Sequence, residues 1–317
     1  MFKFSNYNQI SAENYSKEID MIDVLSKLFD VNNLSSYMCR QASLILNKVN
    51  SSTYERLLSE AQIKLQTKIM PSGKSYHKKW EDGWEENLSV FCRLGTIESL
   101  YPYYIKNNQY FRFSDNYFTA DNKYFEVDLA KTVINYFFDK YLAKSSSIID
   151  LGSGSNHYII DLSLRNPYKN FFALDWSSNS NKIIQEANNR FSMNISPVKF
   201  DMFDPFNQNF TVNKSSSIYT VGSLEQLGSS YQQILLWFLR NDFDYIMNIE
   251  PIYEFYDLNK QYDFVAAEYI KKRNWLNGYY NSLINLENEG RIKIFERLRL
   301  FGSLYHETYN FIIWRKV

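Results

Sequence analysis

The chain carries no net charge, because 35 basic side chains balance 35 acidic ones over 317 residues. Nucleic-acid binders draw much of their affinity from a basic surface, so a nucleic-acid partner is not expected. Cysteine is scarce. Cys39 and Cys92 stand at no metal or redox spacing and read as reduced core thiols of an intracellular protein. The three histidines, His77, His157 and His306, form no cluster of metal-ligand spacing, so no metal is expected. Long apolar runs are missing too. The longest, Ile234 to Leu239, falls far short of a membrane span. The opening Met1-Phe2-Lys3-Phe4-Ser5-Asn6 lacks the apolar stretch of a signal peptide. These absences predict a soluble, cytoplasmic protein with no membrane partner. No repeat or low-complexity tract is present.

Aromatic residues are abundant, at 18% with 26 Tyr and 24 Phe. Drift toward the Tyr, Phe, Asn, Lys and Ile of a low-GC genome explains this, as do aromatic substrate clefts. The length suffices for one large or two ordinary domains with a core that needs no disulfides.

The texture changes along the chain. Helical periodicity runs through Asp20–Phe29, Ser35–Asn47, Tyr54–Leu65, Trp80–Phe91 and Asp128–Leu142, with a looser Tyr- and Asn-rich part from Tyr101 to Asp121. Short apolar runs then alternate with helical ones. Strands are predicted at Ser147–Leu151, Phe171–Trp176, Val198–Met202, Ile218–Val221 and Tyr245–Ile249. Helices are predicted at Asn156–Arg165, Ser180–Phe191 and Tyr231–Arg240. This alternation is the pattern of βαβ units with a parallel sheet covered on both faces. A long helix, Asp263 to Asn288, precedes two strands, Arg291–Phe301 and Tyr309–Lys316, which read as an antiparallel terminal hairpin. In the first of these, Arg291, Lys293, Arg297 and Arg299 alternate with Ile292, Ile294, Leu298 and Leu300, as in an edge strand protected by cations. The predicted fold class is α/β. A mainly helical cap, residues 1–124, precedes a Rossmann-like domain, residues 125–317.

The densest signal is Asp150-Leu151-Gly152-Ser153-Gly154-Ser155-Asn156, where a strand enters a glycine turn and then a helix. Glycines let the backbone turn tightly against a ligand, and the helix start offers free N–H groups. Three features fall in register with it. Asp175 ends the next strand, 175 − 150 = 25 positions on, near the spacing at which an acid meets a ribose diol. Asp201-Met202 follows the third strand, where an Asp can accept from an adenine amine. The fourth strand, Ile218–Val221, opens into Gly222-Ser223-Leu224-Glu225-Gln226-Leu227, at the carboxyl edge where open α/β sheets bind ligands.

Together with the terminal hairpin, these residues resemble the class I S-adenosylmethionine-dependent methyltransferases, over residues 125 to 317. The resemblance implies a Rossmann sheet with an antiparallel last strand inserted. It also implies the cofactor S-adenosylmethionine and the product S-adenosylhomocysteine. By that resemblance Asp150, Gly152, Ser153 and Gly154 line the methionine and ribose, and Asp175 takes the ribose hydroxyls. Trp176 flanks the adenine, Asp201 and Met202 face its amine and edge, and Thr220 and Val221 approach the methionine amino group. Asn156 stands where the family often has a third glycine. Asn tolerates tight turns and caps helices. A dinucleotide site fits less well, since its last glycine would fall on His157.

Methyl transfer is an in-line displacement, and an oxygen acceptor also needs a base. Candidates at the carboxyl edge are Glu225 after the fourth strand, Glu250 ending the fifth, and His306 in the hairpin turn. Each could instead fix its own loop. Arg112 and Tyr117 could reach the cofactor carboxylate or the acceptor. The Trp80–Leu88 and Tyr101–Tyr104 concentrations suit a cap over the acceptor site. The Glu268–Leu276 charge run reads as a solvated helix face or an anion site. The stretches around Glu225, Glu250 and His306 are loosely similar to bacterial surface-sugar and small-metabolite methyltransferases. The expectation is therefore O-methylation of a small, sugar-like acceptor. A catalytically inactive binding module, or a transferase using another group of a related ligand, stays open.

Overall fold

The computed structural model describes residues 17–105 and 109–317. The Met1–Asn6 segment lies outside them. Eleven strands form one sheet in the order β1-β2-β4-β3-β10-β11-β9-β8-β5-β6-β7.

The N-terminal part contributes β1 (Glu18–Asp20), α1 (Met21–Leu28), β2 (Ile45–Lys48), α2 (Ser51–Gln66), α3 (His77–Leu94), β3 (Phe111–Phe113) and β4 (Asn116–Thr119). Its helices start on polar caps. Asp20 accepts from the Ile22 N–H, and Asn50 from the Thr53 N–H, which satisfies donors that a helix start leaves open. Two segments depart from the sequence pattern. Ser35–Asn47 is not a helix: it holds a short 3₁₀ turn, Leu34–Tyr37, and then β2, which is paired on both sides by β1 and β4. The looser segment after Tyr101 contains the β3–β4 hairpin. Ser114 and Asp115 turn it with φ of 46° and 59°, the two positive values that match the strand twist. So the region expected to be mainly helical also extends the sheet.

The second part runs α4 (Phe125–Phe137), β5 (Ser147–Leu151), α5 (His157–Arg165), β6 (Asn170–Asp175), α6 (Ser178–Phe191) and β7 (Ile195–Lys199). Then come β8 (Ser216–Val221), α7 (Gln232–Arg240), β9 (Phe243–Glu250), α8 (Gln261–Lys272), α9 (Tyr279–Asn288), β10 (Ile292–Gly302) and β11 (Tyr309–Lys316). Strands β5 to β9 are parallel, and β11 enters antiparallel between β9 and β10. This is the α/β sheet with an inserted last strand that the sequence predicted. Alternation divides the core. Ile148, Ala173, Tyr219 and Met247 face α4, α5 and α6, while Ile149, Leu174, Ile218 and Ile246 face α7 and α9.

Two boundaries moved, and one burial expectation failed. β7 begins three residues early and includes Pro197, which an edge strand tolerates because no partner needs its N–H. The expected long helix 263–288 is two helices, broken where Asn274 (φ 52°) and Gly278 (φ 88°) turn left-handed. Cys39 and Cys92 are free but exposed, not core thiols. The Cys39 sulfur nevertheless accepts from Asn135, and burial pushes its thiol up to about 11.

The β10 cation stripe is also incomplete. Arg299 turns inward and bonds both oxygens of Asp263, at 2.9 and 2.6 Å, and Glu307 at 2.8 Å. Arg112 of β3 meets Glu307 at 3.1 Å, the Tyr262 carbonyl at 3.0 Å and the Tyr117 hydroxyl at 3.2 Å. Two cations and two carboxylates thus balance in a buried cluster that ties the N-terminal hairpin to the core. Arg112 and Tyr117 are engaged there and do not line the carboxyl-edge cleft described below, contrary to the sequence expectation.

Burial alone would raise the Glu307 pKa, but Arg112 and Arg299 hold it down to about 2. An unfolded Glu titrates near about 4.3. The carboxylate's contribution is therefore present above that value and lost as pH falls toward 2. Arg112→Ala, which strands a buried charge, is expected to cost about 3–5 kcal/mol in urea unfolding at pH 7. For Glu307→Gln, the stability gap to wild type is expected to hold above about pH 4.3 and to shrink steadily below it.

Candidate functional site

The parallel strands end at a cleft that is open to solvent at its mouth. It lies where the chain leaves β5 toward β6 on one side and returns to β8 on the other, the switch point at which such sheets bind ligands.

The floor is the glycine turn. Gly152 and Gly154 both have positive φ, 76° and 54°. Neither could carry a side chain. A Cβ on Gly152 would lie 2.5 Å from the Ser223 Cβ, and one on Gly154 would lie 2.8 Å from the Trp84 ring. Asn156 adopts the same left-handed region, φ 65°, as its tolerance of tight turns allows. Its side chain does not cap α5. It donates instead to the Gly154 carbonyl at 2.9 Å and to the Ser180 carbonyl and hydroxyl at 2.9 and 3.0 Å. Asn156 therefore clamps the turn from behind and does not line the cleft.

Asp175 lines it. One oxygen accepts from the Gly154 N–H and the other from the Ser177 N–H, both at 2.8 Å. Each oxygen keeps capacity for one further donor. Burial pushes its pKa up to about 6, against the pull of those backbone donors. Asp150 accepts from the Tyr219 hydroxyl at 2.8 Å, and burial carries its pKa to about 8. Ser153, Trp176, Asp201, Met202 and Val221 also form the wall. Asp201 accepts from the Phe203 N–H at 2.8 Å. Thr220 stays behind the wall, fully buried, and accepts from Asn248.

The three proposed catalytic groups lie elsewhere. Glu250 takes the backbone N–H groups of Ser223 and Leu224 at 3.1 Å and of Glu225 at 3.2 Å, and burial lifts it to about 7. It fixes the loop after β8. Glu225 accepts from Gln226, and burial beside Glu250 raises it well above the usual range. His306 packs on Tyr269 and Trp275, with Nε2 3.0 Å from the Thr308 hydroxyl, and burial lowers it to about 3. The hairpin turn does return to the carboxyl edge, but β10 stands three strand spacings from β8, roughly 14 Å. That distance removes His306 from the cleft.

The cap supplies what the motif reading missed. His77, Trp80 and Trp84 share one face of α3. His77 stacks on Trp176, with centroids 4.1 Å apart at 13°. Trp80 stacks on Trp84 at 5.5 Å, meets Tyr104 edge-on, and donates to Gln226 at 3.3 Å. Glu81 anchors the same helix by accepting from the Ser178 hydroxyl at 2.6 Å, at the start of α6. The Trp80 and Tyr104 concentrations were visible in sequence. His77 was not, because its partner, Trp176, is remote in the chain. His157 and Tyr158 complete the wall beside the glycine turn. Among the described residues no group of three or more His, Cys, Asp or Glu is placed to hold a metal, and no helix is long and apolar enough to cross a membrane.

No protein-family model and no curated protein matches the chain. Solved structures do. An S-adenosylmethionine-dependent methyltransferase from Aquifex aeolicus is 17% identical at a TM-score of 0.42, over 62% of this chain and 94% of its own. The 16S rRNA methylase ArmA is 16% identical at 0.44, over 74% and 98%. An O-methyltransferase from neocarzinostatin biosynthesis, solved with S-adenosylmethionine, is 12% identical at 0.41, over 75% and 69%. The strand order, with the last strand inserted antiparallel, is the one that the resemblance drawn from the sequence implied.

Proposed function

We propose that the protein transfers a methyl group from S-adenosylmethionine to a small polar acceptor, through O-methylation of a sugar-like molecule. The observation that carries this reading is Asp175. Its buried carboxylate is bonded into the glycine turn, at the switch point, with capacity left for a diol. Asp150, Gly152, Ser153 and Gly154 would hold the ribose and methionine parts, with Trp176, Asp201 and Met202 at the base and Val221 near the amino group.

When bound, the cofactor supplies an electrophilic methyl group on a sulfonium. The protein's part is alignment and dryness. Trp80, Trp84 and Tyr104 offer flat apolar faces to the C–H side of a sugar ring. Gln226 offers a polar contact beside them. Zero net charge favours a small acceptor over nucleic acid.

Calorimetry with S-adenosylmethionine and S-adenosylhomocysteine tests the cofactor assignment, and binding of neither would end it. Asp175→Ala is expected to weaken both by at least about tenfold, through loss of hydrogen bonds to a charged acceptor. Because the ionised carboxylate is a stronger acceptor than the neutral acid, wild-type affinity is expected to hold above pH 6 and to fall below it. A flat pH profile would contradict the role of Asp175. Methyl-labelled cofactor, incubated separately with fractionated metabolites and with RNA, identifies the acceptor by mass spectrometry. Label in the small-molecule fraction with S-adenosylhomocysteine as product is expected. Binding without turnover would favour the inactive module, and a different product the alternative transferase.

A further inference from the structure

The loop that follows β8 touches both the glycine turn and the cap, and a carboxylate outside the cleft holds it. Gly222, Ser223 and Gln226 of this loop stand on the cleft wall. Toward the sheet, the Ser223 hydroxyl donates to the carbonyl of Leu151, the last residue of β5, at 2.7 Å. The Ser223 Cβ is the atom that a side chain on Gly152 would strike. Toward the cap, Gln226 accepts the Trp80 ring N–H through Oε1, and its amide N–H donates to Glu225 at 2.8 Å.

What fixes the loop is Glu250. The successive backbone N–H groups of Ser223, Leu224 and Glu225 point at its carboxylate, at 3.1, 3.1 and 3.2 Å. Successive amides aimed at one anion form a concave nest whose shape depends on that anion. Glu250 ends β9, is fully buried and does not line the cleft. Several groups face it. The Thr220 hydroxyl of β8 bonds it and favours its charged form. Glu225 of the loop is raised well above the usual range by burial and by the Glu250 charge. Tyr279 of α9 is raised in the same way. Arg273, just past α8, acts on Glu225 in the opposite sense.

We propose that Glu250 is a positioning residue for the reaction: its carboxylate holds the loop after β8 in the conformation that joins the glycine turn to the cap, a role that rests on the functional reading above. Glu250 itself touches no ligand. The loop carries Gln226 to the cap side of the cleft and Ser223 to the glycine turn. One anchor therefore sets the spacing between the two sides, which an in-line displacement requires to be held closely. The ionised carboxylate is a stronger acceptor than the neutral acid. Burial pushes Glu250 up to about 7, so its three backbone bonds are strongest above that pH and weaken as pH falls through it.

The test follows amide hydrogen exchange of residues 222–226 above and below pH 7, corrected for the intrinsic exchange rate. In wild-type protein, protection of this loop is expected to rise about tenfold as pH increases through about 7. Glu250→Gln keeps one acceptor oxygen but turns an amide donor toward the loop's own donors. It is expected to lower protection of the loop and of the first turns of α3 about tenfold above pH 7, to remove the pH dependence, and to leave β5 and β9 protected. S-adenosylhomocysteine affinity is read as the ratio of variant to wild type at each pH, so that the Asp175 titration common to both cancels. That ratio is expected to fall about threefold or more above pH 7 and to return toward one below it. Thermal melts check that the variant folds; where it does not, the wild-type pH profile decides alone. A wild-type loop indifferent to pH, unchanged exchange in the variant, an equal loss of protection through β5 and β9, or an affinity ratio of one at every pH overturns the assignment and leaves the cofactor reading intact. Wild-type protein that binds no S-adenosylhomocysteine would end the cofactor reading and the role in that reaction, and the exchange pattern would still decide whether Glu250 holds the loop.

Discussion

Between Gly152 and Asn156 the backbone passes through three left-handed residues in five positions. That turn is the constraint from which the rest of the cleft follows. It lets β5 stop at the switch point and α5 begin at once, without a side chain in the way. Other groups then close on it from every side. Ser223 approaches Gly152, Trp84 lies against Gly154, Asp175 accepts the Gly154 N–H, and Asn156 ties its back to Ser180. Each contact comes from a different strand or helix. The turn is therefore the point where the N-terminal cap and the ends of β6 and β8 are brought into register.

Burial acts in opposite senses on the acidic groups around it. Among the described residues Asp150 and Asp175 have no cationic partner, and burial drives them toward their neutral forms. Glu307 is just as buried but sits between Arg112 and Arg299, and stays charged. The first situation leaves capacity for a ligand with donors or positive charge. The second consumes all its capacity internally. This difference separates a site from a structural joint, although both are clusters of buried acids.

Much of the core was legible as sequence. The β5 strand, the glycine turn, Asp175 and the terminal hairpin are local features, and local chemistry specifies them: glycines where φ must be positive, apolar runs where both faces are covered. The departures are non-local. Residues 45–48 become a strand because β1 and β4 pair with them, not because their pattern alternates. Arg112 looked available for a ligand because Asp263 and Glu307, its partners, are more than a hundred positions away. His306 was placed at the right edge of the sheet, but its lateral distance from the cleft depends on β11 being inserted before β10.

The sequence by itself determined the class of sheet, the glycine turn and the acids at the ends of β6 and β7, since strand ends and tight turns are written in neighbouring residues. Only the tertiary structure decided which titratable side chains face the cleft. It withdrew Glu225, Glu250 and His306 into loop and packing contacts, and brought His77, Trp84 and His157 to the wall. The reason is physical. Whether a polar side chain serves a ligand depends on whether the folded chain has already satisfied it, and its partners come from strands and helices that are distant in sequence.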